Sequence, residues 1–390
     1  MKNLLEEFTA EINRHFFLRE FSFDRNKFKS ACGQEYELAD HVIAMPAGTL
    51  VFQLKERGAN APADESSMTS WFRRKVVDKA CRQLADTVRF LRAEPNLLVL
   101  NQRGHTHDLA GCTENIIQVI LFRAHSPLPA QIRGQRHYVS KRAGFVHIMD
   151  IQDYYQLCHT LALPRELMQY FEFRQELLLA RPDLDWPEAI LAAQYIMDTG
   201  DRLSDHTVME VLGRTRIDNA SVDLSPILTK FGEKIVHSSS PDDPHQYYQL
   251  LAELTKLDRA EMRELKRLID WALVNAGGKD IQIPARLLCP SARIGFVVFP
   301  VHAGAYHLRM NALMNFSAAM KYESHLERQV GISVAKEADM IDIDWMLIEA
   351  PWEQDPDMEA HLESSYPFRD RPEPRRVFRY NLSQDPHVAD

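Results

Sequence analysis

The sequence predicts an α/β protein built in three parts, and three observations carry that prediction. Residues 49–55, TLVFQLK, alternate between two faces with the period of two that a strand imposes. Residues 71–91 place apolar side chains at 76, 77, 80, 84, 88 and 91, the stripe of a helix that lies on a sheet. From about 165 to 280 helical periodicity runs almost unbroken, and from Ile281 it gives way again to strand, helix and strand. The expected organisation is an α/β domain over 1–163, a helical middle over 164–280 and a small C-terminal α/β sheet domain over 281–390.

Residues 36–57 read as a strand, a tight turn and a second strand. Pro46, Ala47 and Gly48 are turn residues, and folding back there sets Asp40 opposite residues 53–55, at the ~5 Å of cross-strand neighbours. Val51, Gln53 and Lys55 share one face, and Leu50, Phe52 and Leu54 take the other. A glutamine and a lysine two apart on an otherwise apolar strand need either solvent or a task. A lysine that merely ends a strand would lay its stem along the surface and keep its ammonium in water. Phosphodiester hydrolysis offers a task instead: oxygen-donor side chains hold Mg²⁺, and an ammonium close by orients or activates the attacking water. Asp40 and the Gln53 carbonyl would be the donors, and Lys55 the ammonium.

This Asp, turn, Gln-x-Lys arrangement resembles the PD-(D/E)xK nuclease superfamily in its variant with glutamine in place of the motif's acid, as in Mrr-like restriction endonucleases. The resemblance covers roughly residues 1–125, about a third of the chain. It implies a restriction-endonuclease-like αβββαβ domain and a metal-dependent nuclease that hydrolyses phosphodiester bonds of DNA with Mg²⁺ or Mn²⁺, in bacterial defence against foreign DNA. It also implies that the opening helix, residues 4–17, lends an acid to the metal. Glu6, Glu7 and Glu11 are the candidates there, and Glu11 is taken as a metal ligand with Asp40 and Gln53. Glu37 is a further catalytic candidate. On the helix after the motif, Lys79 and Gln83 match the usual position of an auxiliary polar residue, and Arg74, Lys75, Lys79, Arg82 and Gln83 are expected to meet nucleic acid. One departure matters: Gln53 brings no charge, which leaves Asp40 as the sole anionic ligand wherever the glutamates point elsewhere. The rival reading is a catalytically inactive nuclease fold that serves as a nucleic-acid-binding or assembly module.

Along the rest of the chain, residues 127–150 are strand-like, Asp150 or Asp153 caps the next helix, and Pro164, Pro187 and Asp258 stand at helix starts. The block from Gly144 to Arg174 also looks like uncharacterised bacterial proteins that carry such a nuclease module. Residues 238–244, SSSPDDP, read as a linker. Residues 293–301, 330–335 and 341–350 are expected strands with a helix over 311–327 between the first two, a sheet suited to homo-oligomerisation or target sensing. Arg103 to Asp108, followed by Cys112, has the letters of a metal site, but zinc closes four ligands around itself and here they crowd one loop, so it is read as a loop. No GxxxxGK[ST] or GxGxxG occurs, which removes support for nucleotide hydrolysis and dinucleotide chemistry.

Composition sets the outer limits. With 45% hydrophobic and 26% charged residues among 390, the chain has enough apolar material for large cores. A net charge of -9 opposes coating by nucleic acid through bulk attraction, so any contact with it must be local. Besides the helix after the motif, basic stretches lie at Arg133, Arg136, His137, Lys141 and Arg142, and at Arg369, Arg371, Arg375, Arg376 and Arg379. Five scattered cysteines without a CxxC pair point to reduced thiols, and no apolar run nears the ~20 residues of a membrane span. The expected compartment is the cytoplasm.

Overall fold

The computed structural model describes residues 4–24, 26–29, 33–112, 115–228, 247–337, 340–368 and 379–380. Residues 238–244, Cys32 and the tail arginines 369, 371, 375 and 376 lie outside these. The protein is mixed α/β and divides into two compact units, Met1–Ile217 and Asp218–Asp390. That division falls inside the stretch expected to be a single helical middle. Among the described residues no helix is long and apolar enough to cross a membrane.

In the first unit the opening helix α1 (Leu4–Phe16) is followed by β1 (Ser22–Phe23), a ribbon of β2 (Lys27–Lys29) and β3 (Glu35–Glu37), and the hairpin β4 (His41–Met45) and β5 (Gly48–Glu56). Pro46 and Ala47 make the turn, as expected, with Met45 paired to Gly48. Gly48 is required there: its φ is +147°, and a Cβ would stand 2.8 Å from the Asn115 carbonyl oxygen. A long helix follows, α2 (Glu65–Trp71), a stretch of wider i→i+5 turns over Phe72–Lys79, and α3 (Ala80–Ala93). Asp64 caps it by accepting from Ser67 N–H at 2.8 Å. Residues 76, 77, 80, 84, 88 and 91 are all buried, so the stripe read from the sequence is the face that packs.

The chain then returns as β8 (Ile116–Arg123), parallel to β5 over Thr49↔Ile116 to Glu56↔Arg123, and continues through the short helix α4 (Ala130–Arg133) into β9 (His137–Ser140) and β10 (Gly144–Asp150). The six-stranded sheet runs β1-β4-β5-β8-β10-β9. Residues 97–100, strand-like in sequence, form β6 (Leu98–Leu100), which pairs with β7 (Thr106–Asp108) in a separate ribbon. The cause is local: the Asn101 side chain accepts from the N–H groups of Arg103 and His105, both at 3.0 Å, and closes a turn where a loop was expected. Val51, Ile120 and Phe122 meet Val76, Val77, Ala80 and Leu84 on one side of the sheet. On the other, Phe52 packs 5.5 Å from Tyr154 of α5 (Ile151–Leu161), whose hydroxyl donates to Asn13 Oδ1 of α1 at 2.6 Å. Asp150 is the α5 cap, accepting from Gln152 N–H at 2.8 Å.

Helices α6 (Pro164–Ala180), α7 (Glu188–Met197) and α8 (Asp205–Asp218) follow. They belong with the first sheet because Arg174, fully buried, reaches His147 Nδ1 at 3.0 Å and the Ile148 carbonyl at 3.2 Å while pairing with Glu188 at 2.7 Å. A guanidinium can be taken out of water only with its partners in place. In the second unit α9 (Tyr247–Thr255) precedes α10 (Arg259–Asn275), which starts at Asp258 with a reciprocal cap to Glu261. The four-stranded sheet runs β11 (Ala285–Cys289), β12 (Ile294–Pro300), β13 (Arg328–Glu337), β14 (Met340–Glu349). Helix α11 (Arg309–Glu323) joins the parallel pair β12 and β13 and packs closely on Gly331, where a Cβ would come 2.8 Å from Leu313 Cδ1.

Candidate active site

The site grows out of the place where one strand of the hairpin stops short. The last β4–β5 pair is His41↔Phe52, so Asp40 continues the register beside Gln53 without joining the ladder. The Leu54 N–H donates instead to Asp40 Oδ2 at 2.6 Å, a charge-assisted bond that fixes the carboxylate at the strand edge. Gln53 is buried, on the face that also carries Val51. Lys55 folds back over the same spot: its Nζ donates to Gln53 Oε1 at 3.1 Å and to the Leu54 carbonyl at 2.9 Å, and lies 3.4 Å from Asp40 Oδ2. A carboxylate, an amide and a peptide carbonyl thus converge on one cation.

Lys55 does not snorkel. Its side chain is 12% exposed, and its ammonium is turned inward among oxygens. Burial pulls its pKa below the usual lysine range; Asp40 opposes that, the charge of Lys79 adds to it, and Glu6 opposes it more weakly. Those influences come from two neighbouring helices. Lys79 comes from the long helix, and Glu6 from α1, where it sits half-buried next to the core residue Leu5.

The other expected residues are placed as follows. Glu11 is not at the site. It is exposed and paired with Arg14 at 3.1 Å and His15 at 2.8 Å, because five residues beyond Glu6 the helix has turned it well away. Of the three acids on α1, Glu6 is the one whose charge acts on Lys55. Glu37 stands across from Lys27 on the β2–β3 ribbon and lines a separate groove with Asp24 and Leu98. Arg74, Lys75, Lys79 and Arg82 are exposed along the helix, and Gln83 is half-buried with its side-chain oxygen unpartnered among the described residues. The wide-turn segment Phe72–Lys79 carries three of these charges, and such segments recur at functional sites.

Hard oxygen donors that include an anion are what Mg²⁺ or Mn²⁺ takes. Asp40 Oδ2, Gln53 Oε1 and the Leu54 carbonyl form such a set, and the position of Lys55 Nζ marks that they converge where a cation can be held. Among the described residues no three or more His, Cys, Asp or Glu side chains come together for a metal, so the set depends on amide and peptide oxygens. The Leu54 carbonyl was not legible in the sequence, since every residue carries one and only the fold says which faces the site. Compared with known proteins, the chain matches no family model, no curated protein and no solved structure.

Proposed function

We propose that the protein is a metal-dependent nuclease acting on DNA, with its site at Asp40, Gln53 and Lys55. The observation that carries this reading is the convergence of three oxygens of different chemical origin on a buried ammonium at the edge of a sheet. The element order supports a restriction-endonuclease-like domain: α1, then β1, β4 and β5 antiparallel, then a long helix, then β8 parallel to β5. Action on foreign DNA belongs to the same proposal and rests on the motif's resemblance alone.

Asp40, Gln53 and the Leu54 carbonyl would hold Mg²⁺ or Mn²⁺, which supplies Lewis-acid polarisation of a phosphoryl oxygen and of water. Lys55, held within hydrogen-bond reach of that set, donates to the water that attacks phosphorus or to the oxygens on which charge grows. One P–O bond forms, the P–O bond to the leaving nucleoside oxygen breaks, and the water's proton ends on that oxygen. Desolvation keeps Lys55 strongly interacting because little water competes for its donors. Lys79, with Arg82 one turn on, grips the backbone on either side.

Calorimetric titration of Mn²⁺ into the wild type and Asp40→Ala tests the donor set without relying on cleavage. Binding to the wild type and its loss in a variant with an unchanged circular dichroism spectrum is expected; equal isotherms would remove Asp40 from the site.

A further inference from the structure

A second feature lies on the same sheet edge and is not used by the proposed cleavage. A cavity of about 450 Å³ opens at the C-terminal ends of β8 and β10. This is the edge at which open α/β sheets place their ligands. Phe122, Leu128 and Ile148 give it apolar walls, and Asp153, Arg133 and Arg136 give it charge. Phe122 pairs with Lys55 on one side and with Asp150 on the other. The cavity is therefore two strand spacings, ~10 Å, from the Lys55 row.

Its polar groups are incompletely satisfied by the protein. Asp153, half-buried in the first turn of α5, has no hydrogen-bond partner among the described residues. Burial, with the charge of Glu188 behind it, pushes its pKa up to about 6, so that it is ionised at neutral pH yet short of counter-charge. Arg136 gives Nη1 to Glu188 at 3.0 Å and keeps Nη2 without a partner among the described residues. Arg133 spends Nε and Nη2 on the Leu128 carbonyl, at 3.2 and 3.0 Å, and keeps Nη1 for something else. A carboxylate that lacks donors beside guanidinium groups with donors to spare, between apolar walls, describes the complement of a flat heterocycle with two N–H groups and a carbonyl on one edge.

We infer that this cavity binds a guanine base, with Asp153 accepting from N1–H and the 2-amino group and a guanidinium donating to O6. Guanine alone among the four bases presents two adjacent donors to one carboxylate; cytosine and adenine present one amino group beside an acceptor, and uracil a single N–H between two acceptors. Its role as the base that sets where the nucleic acid is cut rests on the proposed nuclease. Its binding of guanine does not.

Equilibrium binding of GMP, AMP, CMP and UMP to the full chain, in EDTA, tests the cavity by itself. GMP is expected to bind about ten-fold or more tightly than each of the others. In Asp153→Asn that preference is expected to vanish. Equal binding of all four, binding of none, or a GMP preference that survives Asp153→Asn would overturn the assignment. A companion assay cleaves single-stranded oligonucleotides in which one guanine is moved along an otherwise constant sequence, with Mg²⁺ present. Cuts that follow the guanine support both readings. Guanine preference in binding with no cleavage of any oligonucleotide overturns the nuclease and leaves the cavity standing; cleavage indifferent to guanine, with no GMP preference, does the reverse.

Discussion

Lys55 is held where burial and charge pull against each other, and its position separates an enzyme from a scaffold that only looks like one. Its Nζ is within reach of three oxygens, so the charge is neutralised locally while water is kept off. If it stabilises charge that develops at phosphorus, Lys55→Ala should lower single-turnover cleavage by about 100-fold or more while leaving substrate affinity nearly unchanged. Lys55→Arg should not restore the rate, because the planar guanidinium cannot take the place of a compact ammonium. Rates equal to the wild type in both variants would show that the lysine only fills space. Asp153 makes a different prediction, in stability. A carboxylate raised from 3.8 to about 6 contributes stability below its unfolded pKa and loses it as pH rises through the folded one. Asp153→Asn removes that loss. Measured by urea melts, its stability relative to the wild type should improve by about 2 kcal/mol between pH 4 and pH 7. A difference that is flat with pH would mean that the carboxylate is solvated after all.

At the scale of the element, the hairpin β4–β5 and the long helix behind it make the site, and both were legible because their signals are local. The alternation over 49–55, the Pro-Ala turn and the stripe at 76, 77, 80, 84, 88 and 91 each follow from a repeat that the neighbouring residues carry. What was not legible is how elements turn towards each other. Glu6 and Glu11 illustrate this: both are acids on one helix, and only the packing of Leu5, Thr9, Ala10 and Asn13 leaves Glu11 exposed with Arg14 and His15 while the charge of Glu6 acts on Lys55. Arg57 shows the same limit. It is buried, bonded to Ser67 Oγ at 2.9 Å and stacked 5.6 Å from the Trp71 ring, where it ties the end of β5 to the start of the helix. That tie aims the exposed charges of the helix. If Lys79 and Arg82 grip phosphates, replacing both by alanine should weaken binding to every sequence alike and flatten the dependence of log K on log salt by about 2. Binding at four salt concentrations measures it, and an unchanged slope would leave both as solvated charge.

The whole molecule is mixed α/β, as the sequence predicts, but it is divided into two units at 217/218 rather than into three at 163 and 280. Periodicity announces helices without saying which sheet they cover. The helices after Pro164 belong to the first unit because Arg174 and Glu188, fourteen residues apart, close a buried pair against β10; α10 belongs to the second because its apolar face meets β12. The same blindness to distant neighbours hid the cavity beside the site, which draws on β8, β10, α5 and the segment between the strands. In the second unit the strands and helix follow the patterns of residues 293–301, 311–327, 330–335 and 341–350, while β11 and the parallel pairing of β12 with β13 carry no signal of their own in the sequence. A net charge of -9 means that nucleic acid can be held by the whole molecule only where cations are concentrated, and the Lys55 edge with its basic helix is such a place. The measurement that bears most directly on this account is single-turnover cleavage of end-labelled DNA by the wild type and Asp40→Ala, with Mg²⁺ or Mn²⁺ present and with EDTA. The account predicts metal-dependent cleavage by the wild type and none by Asp40→Ala, with DNA binding retained by both; cleavage at the same rate by the two proteins, or none by a wild type that binds both metal and DNA, would contradict it.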